Sequence, residues 1–121
     1  YEKAAALSPN DFRYWFQLGR ARERVGDAEG AEKAMRRALE LAPNYSEIQW
    51  TLGNMLLRRE NSDEAFDLIR RAAGGNEKFV NPAISTAWQI FDGDISQIKR
   101  NIGDSLEINA ALANFFAGKK S

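Results

Sequence analysis

The sequence predicts an all-α protein of about seven helices, which pair in antiparallel fashion and stack in a single row. Three observations support this prediction: a 34-residue internal period, apolar residues at helical spacing, and helix-breaking residues where each helix should end. Pro9 and Pro43 mark the period, and Gly19 and Gly53 share it. With 121 residues, the chain is long enough for one array with a continuous core.

The first full unit should contain two helices. Apolar residues recur at helical spacing over residues 12–24 and again over 28–41, with Gly26 and Asp27 as the break between them. Asp27 is a suitable cap for the second helix. Gly19 and Gly53 stand where a side chain would hold paired helices apart, and small residues at matched positions allow close approach: Ala31, Ala38, Ala65 and Ala72.

Beyond residue 78 the period weakens. Asn81 followed by Pro82 predicts an N-cap and the first position of a helix, which should run through Phe91 and end at Gly93.

Two further helices are expected after Gly93. Asp94 with Gln97 predicts a capping box for a short helix that ends at about Ile102, roughly two turns shorter than its counterparts. The pair Gly103-Asp104 then predicts the start of a terminal helix, which Gly118 should stop.

These recurring residues resemble the tetratricopeptide repeat, whose signature is Trp, two residues, Leu-Gly, then Ala, a bulky apolar residue, Ala and Pro. One copy is complete, with Trp15, Leu18, Gly19, Ala31, Met35, Ala38 and Pro43. A second copy consists of Leu52, Gly53, Ala65, Ile69 and Ala72. In that copy Gln49 replaces the Trp and Glu77 replaces the closing Pro.

The resemblance implies a right-handed α-solenoid in which residues 1–121 form a single array. Its expected parts are the end of a preceding repeat (1–9), two repeats (12–45 and 46–79), a shortened degenerate repeat (80–105) and a terminal helix (106–118). Because the chain enters within a repeat at Tyr1, we expect it to be a segment of a longer, bacterial protein.

The resemblance also implies that the first helices line a concave groove that binds a peptide or a partner protein. We expect an apolar track flanked by arginines, although each tryptophan has the core as an alternative place. Phe16 stands where a clamp for a peptide carboxylate would need lysine, so we expect no such clamp. The predicted groove residues are Arg13, Phe16, Gln17, Arg20, Arg24, Trp50, Asn54, Leu57, Arg58, Ile84 and Trp88, with Glu47, Thr51 and Phe91 at equivalent offsets.

Composition argues against several other functions. The chain has no cysteine and no histidine, which removes the thiol and imidazole groups that most catalytic and metal sites use, so we expect no enzyme activity, cofactor or metal. Asp92 and Asp94 lack the other ligands of a calcium loop. The 17 basic and 17 acidic residues are interleaved, which disfavours nucleic acid. No apolar run approaches the roughly 20 residues that span a bilayer, so we expect no membrane insertion in this segment.

Three alternatives remain open. The array could be an accessory region of a larger bacterial envelope enzyme, such as a glycan polymerase or a glycosyltransferase, a hypothesis that rests on family analogy. Recognition of RNA by helical repeats is disfavoured by the neutral charge. Self-association through exposed end helices is a further expectation. The sequence leaves the partner and the cellular compartment open.

Overall fold

The computed structural model describes residues 10–120, with side chains through Gly118. This part of the chain is all-α, as predicted, and its described residues contain no β-strand. The predicted end of a preceding repeat, residues 1–9, lies outside the described residues. The helices are α1 (Phe12–Arg24), α2 (Ala28–Leu41), α3 (Ser46–Arg58), α4 (Ser62–Gly75), α5 (Val80–Phe91), α6 (Ile95–Ile102) and α7 (Leu106–Lys120), with a 3₁₀ turn at Glu77–Phe79 before α5.

The first pair forms where the sequence predicts it. α1 begins after Asp11, whose side chain accepts a hydrogen bond of 2.9 Å from the backbone N–H of Arg13. Gly26 makes the turn with a φ of 84°, a conformation that favours glycine. The side chain of Asp27 accepts from the backbone N–H of Gly30 at 2.9 Å, so the predicted cap of α2 is confirmed.

Glycine allows the first and second helices of a pair to touch. A Cβ atom on Gly19 would lie 2.9 Å from the Cε of Met35 and 3.2 Å from the carbonyl oxygen of Ala31. A Cβ on Gly53 would lie 2.9 Å from Ile69 and 3.1 Å from the carbonyl oxygen of Ala65. The two glycines therefore meet equivalent neighbours one period apart, which confirms their predicted role in packing.

Two clusters of buried side chains form the core. The first lies among α1 to α4 and includes Met35, Leu52 and Leu68. The second joins α4 to α5, α6 and α7 and includes Ile69 and Ile98. Because α4 contributes to both clusters, the apolar interior is continuous from the first pair to the last helix, as a stacked array requires.

α5 begins earlier than the sequence predicts. The side chain of Asn76 accepts a hydrogen bond of 3.1 Å from the backbone N–H of Lys78 and starts the 3₁₀ turn, which leads directly into α5 at Val80. Asn81 therefore lies inside the helix and is not its cap. Pro82 is tolerated there because the first N–H groups of a helix have no intrahelical partner. Burial of Phe79 and Val80 fixes the earlier start.

The third pair is short, and the last helix begins at the predicted residue but ends later than predicted. α6 has 8 residues against 14 in α2 and in α4, and Asp94 caps it by accepting from the backbone N–H of Gln97 at 3.3 Å. The cap of α7 is Ser105, whose Oγ accepts from the backbone N–H of Ile108 at 3.1 Å. Gly118 does not stop α7, which continues to Lys120. A glycine near a helix end costs too little to break it.

Charged side chains join the outer helices. Arg36 on α2 makes two hydrogen bonds to the carboxylate of Glu64 on α4, at 2.6 and 3.0 Å, and a third of 2.9 Å to Glu32. The hydrogen bonds from Arg36 are the main reason that the pKa of Glu64 lies below its usual value. Arg59, the residue that follows α3, approaches Glu32 at 3.4 Å. These contacts tie the first two units together on their outer side.

None of the helices in the described residues is long and apolar enough to cross a bilayer.

Candidate functional site

An open cleft of about 320 Å³ lies between the first two units, on the side formed by α1 and α3, the first helix of each unit. We call this cleft the inner groove. Two of its residues come from α1, five from α3 and two from the 3₁₀ turn. Its lining consists of Arg20 and Glu23, then Glu47, Trp50, Thr51, Asn54 and Arg58, and finally Lys78 and Phe79.

Two stacked rings form the apolar wall of the inner groove. The indole of Trp50 lies nearly parallel to the ring of Phe79, with centroids 5.1 Å apart and planes at 21°. Phe79 is 8% exposed and belongs to the second core cluster, so it holds Trp50 in place from behind. Trp50 remains partly exposed. The groove therefore has a fixed aromatic surface whose orientation is set by the core.

Two ion pairs lie across the groove. Lys78 of the 3₁₀ turn contacts Glu47 of α3 at 2.9 Å, and Arg58 of α3 contacts Glu23 of α1. The side chains of both pairs are 39–61% exposed. Exposed pairs of this kind contribute only about 0–1 kcal/mol, so a charged partner could replace either member at small cost.

Arg20 differs from the other cations of the groove. It is exposed, and its guanidinium carbon lies 5.6 Å from the ring centroid of Phe16. No carboxylate among residues 10–118 makes an ion pair with it. A cation above an aromatic face keeps its hydrogen-bond donors available, so Arg20 can donate hydrogen bonds to a carboxylate from outside the chain.

Asn54 adds a polar side chain to the lining of the inner groove. Its amide nitrogen donates a hydrogen bond of 2.9 Å to the backbone carbonyl of Trp50, one turn earlier on α3. This contact fixes the side chain and leaves the amide oxygen as the group that can accept.

The structure brings together Arg20, Trp50, Asn54 and Arg58 from the predicted groove residues, along with Glu47 and Thr51. The remaining predicted residues lie elsewhere. Arg13 pairs with Asp11 at 2.6 Å. Phe16 packs against the first core cluster beneath Arg20, and Leu57 packs against both clusters. Gln17 and Arg24 do not line the cleft.

The predicted apolar track is wrong at Ile84, which is 0% exposed and belongs to the second core cluster. The cause is α7, which packs on α5 and contributes Leu112 to that cluster. Trp88 also lies against α7, with ring centroids 5.1 Å from Phe115 and 5.9 Å from Phe116.

Phe91, predicted at an equivalent offset, packs 5.1 Å from the ring of Phe66.

Three groove residues were not predicted. Glu23 follows Arg20 by one helical turn, so its place on the same face of α1 was visible in the sequence. Lys78 and Phe79 lie in the 3₁₀ turn, a segment without a repeat signature, and the sequence holds no signal that would place them in the groove.

Acidic side chains do not gather into a metal site in the described part of the chain. No group of three or more Asp or Glu residues is placed to hold an ion among residues 10–118. Asp92 adopts a left-handed conformation at the end of α5, with a φ of 53°, and Asp94 caps α6.

Comparison with known families and structures agrees with the fold. A family model for the tetratricopeptide repeat matches residues 1–46 and 16–78, which together make up more than half of the chain. No curated protein matches the sequence.

Among solved structures, the one described as "Crystal structure of MamA" is similar with a TM-score of 0.69 and 18% sequence identity. The similarity covers 96% of this chain and 65% of that chain, so this chain corresponds to less than two thirds of that protein's length. At this level of identity the likeness concerns the fold alone.

Proposed function

Because the chain belongs to the tetratricopeptide repeat family, whose repeats generally mediate protein–protein interaction, we propose that its inner groove binds a segment of a partner protein and catalyses no reaction. The observation that carries the proposal is the stacked Trp50–Phe79 wall beside Arg20, within one open groove. Aromatic and Arg residues supply a large part of the binding energy at protein interfaces.

The geometry of the groove supports a peptide-like segment over a small molecule. The groove is open, its apolar surface is confined to one wall, and charged groups from three elements surround that wall. Small-molecule sites are usually concave and mostly apolar. A segment of extended or helical chain can meet the aromatic wall with one side chain and the charged rim with its neighbours.

The carboxylates of the groove support a role in recognition over one in catalysis. Glu23 and Glu47 are the carboxylates of the lining, and each pairs with a cation at the surface. Their side chains are 39% and 42% exposed, so neither carboxylate lies in the dry environment in which a general acid or base usually works. The groove therefore suits recognition.

Selection of a random peptide library on the chain, followed by fluorescence polarisation with a labelled selected peptide, tests this proposal. We expect Arg20→Ala and Trp50→Ala each to weaken binding by about tenfold or more, and the double variant to abolish it. Arg37→Ala is the matched control, because Arg37 is an exposed arginine that pairs with Glu40 on α2, away from the groove.

Arg20 is exposed and lies outside the core, so its substitution should leave helicity by circular dichroism unchanged. Peptide binding that is as strong in Arg20→Ala and Trp50→Ala as in the parent chain would show that the inner groove is not the binding site.

A further inference from the structure

A second cavity of about 300 Å³ lies next to the inner groove, between the α1–α2 turn and the C-terminal end of α3. We call it the edge pocket. Small and apolar residues line it: Gly26, Ala28, Ala31 and Met55. Ala31 and Met55 are 1% and 4% exposed and belong to the first core cluster, so the floor of the pocket is the apolar interior itself.

The edge pocket and the inner groove share one boundary. Glu23 and Arg58 line both cavities, and these two residues form the ion pair that joins α1 to α3. A chain segment that lies in the groove and continues past this pair would therefore come directly over the pocket. The two cavities are neighbouring parts of a single surface.

The charge of this surface is unbalanced, although the whole chain has a net charge of zero. The two cavities together are lined by four cations and two carboxylates. Arg59 at the pocket rim contacts Glu32 at 3.4 Å, and Glu32 lies outside either lining. Arg20 has no ion pair in the part of the chain that the structure describes. The excess of positive charge favours an acidic segment.

We propose that the edge pocket binds an aliphatic side chain from the same acidic partner segment that occupies the inner groove. This inference rests on the proposed function and names the partner more narrowly. The segment presents a carboxylate to Arg20, crosses the Glu23–Arg58 pair, and places the aliphatic side chain over Ala31 and Met55. Burial of apolar surface on this floor adds to the affinity that the Trp50–Phe79 wall supplies.

Ala28 allows the pocket to be filled without disturbing the core. It is exposed and lies at the first position of α2, so a phenyl ring there would cover the pocket from outside. Glu29→Phe is the matched control, because Glu29 is the next residue, its side chain is 75% exposed, and it does not line the pocket.

The methyl groups of the methionines allow binding in the edge pocket to be detected directly by NMR. The chain contains two methionines, of which Met55 lines the pocket and Met35 is 0% exposed in the core. A spectrum of methionine labelled with ¹³C at the methyl group should therefore show two resonances. Binding in the pocket should shift that of Met55 and leave that of Met35 in place.

The probe is a fluorescein-labelled peptide selected from a random library on the parent chain. We expect the selected peptides to be rich in Asp, Glu and an aliphatic residue, and Ala28→Phe to weaken binding about tenfold while Glu29→Phe leaves it unchanged. Replacement of the aliphatic residue of the peptide by Ala should weaken binding to the parent chain and remove the effect of Ala28→Phe, as expected for a shared contact.

The outcomes separate this inference from the proposed function. Peptide binding that depends on Arg20 and Trp50 but is unaffected by Ala28→Phe, with no shift of Met55, would leave the groove as a binding site and overturn the role of the edge pocket. Selected peptides rich in Lys and Arg would overturn the inferred acidic partner. Peptide binding that is unchanged in Arg20→Ala, Trp50→Ala and Ala28→Phe would contradict both proposals.

Discussion

Gly53 gives a sharp test of how the helix pairs pack, because a side chain at this position has almost no room. An added Cβ would lie 2.9 Å from Cγ1 of Ile69 and 3.1 Å from the carbonyl oxygen of Ala65. Ile69 is 0% exposed and β-branched, so its contacting atom has little freedom to move. The backbone of α4 would have to shift to relieve the contact with the carbonyl oxygen.

Two opposing effects determine how much Gly53→Ala changes the free energy of unfolding. Replacing glycine by alanine inside a helix should stabilise it by about 1 kcal/mol. Overpacking of a well-packed core costs about 1–3 kcal/mol, and contact with a backbone atom puts this site in the upper half of that range. We therefore expect the free energy of unfolding to fall by about 1–2 kcal/mol, with a drop in Tm of roughly 4–6 °C for each kcal/mol.

Gly74→Ala is the matched control. Gly74 is the second-to-last residue of α4, where the propensity effect is smaller than in the helix interior, and nothing lies within 4 Å of an added Cβ there, so the helical gain should appear alone as about 0.5 kcal/mol of added stability. The change in stability caused by Gly19→Ala should lie between those of Gly53→Ala and Gly74→Ala, because the atom closest to the added Cβ belongs to the flexible end of Met35. Urea unfolding followed by circular dichroism measures all three. Equal stabilisation by Gly53→Ala and Gly74→Ala would refute the packing role of Gly53.

Two further predictions concern charge and assembly. The pKa of Glu64 is lowered by Arg36, so the ion pair should stabilise the fold above the usual carboxyl pKa of about 4.3 and lose its effect as the pH falls through the lowered pKa. Because both side chains are about 40% exposed, Glu64→Gln should cost only about 0.5 kcal/mol at pH 7 in urea unfolding, and progressively less as the pH falls below the usual carboxyl pKa. A cost that stays constant with pH would contradict this account. On α7, Leu106 and Phe116 are 83% and 42% exposed, and we expect this face to support weak self-association. Sedimentation velocity over a concentration series should show a rise in mass that Leu106→Asp abolishes and Ile90→Asp, at another exposed apolar site on α5, does not; a constant monomer mass in the parent chain would exclude the interface.

The sequence predicted the first two helix pairs closely because local and long-range signals agree there. Asp27 caps a helix whose partner contact is set by Gly19, and the glycine contact recurs at Gly53 one period later, although Asn61 at the position equivalent to Asp27 makes no side-chain cap hydrogen bond. Near residue 80 these signals disagree. Asn81 followed by Pro82 is a strong local start signal, but burial of Phe79 and Val80 favours an earlier start through the 3₁₀ turn.

The groove was predicted only in part for a related reason. Equal offsets place side chains on equivalent faces only while successive pairs pack in the same way, which holds for Arg20 and Trp50. In the third pair α6 is short and α7 packs on α5, so the offset that reaches the groove in α3 leads into the core at Ile84. The 34-residue spacing alone does not show which helix packs against α5 in the third pair.

The inner groove depends on contacts that hold its elements in register. Arg20 belongs to α1, Trp50 to α3 and Phe79 to the turn before α5, so one helix pair alone cannot form the site. Only the exposed Glu23–Arg58 pair links α1 to α3 within the groove lining, and exposed pairs are weak. The spacing of the groove must therefore come from the core behind it, where α2 packs on α3 and the glycine contacts hold each pair closed. Binding and stability are consequently coupled, because the residues that keep the units in register also fix the distance between Arg20 and the Trp50–Phe79 wall.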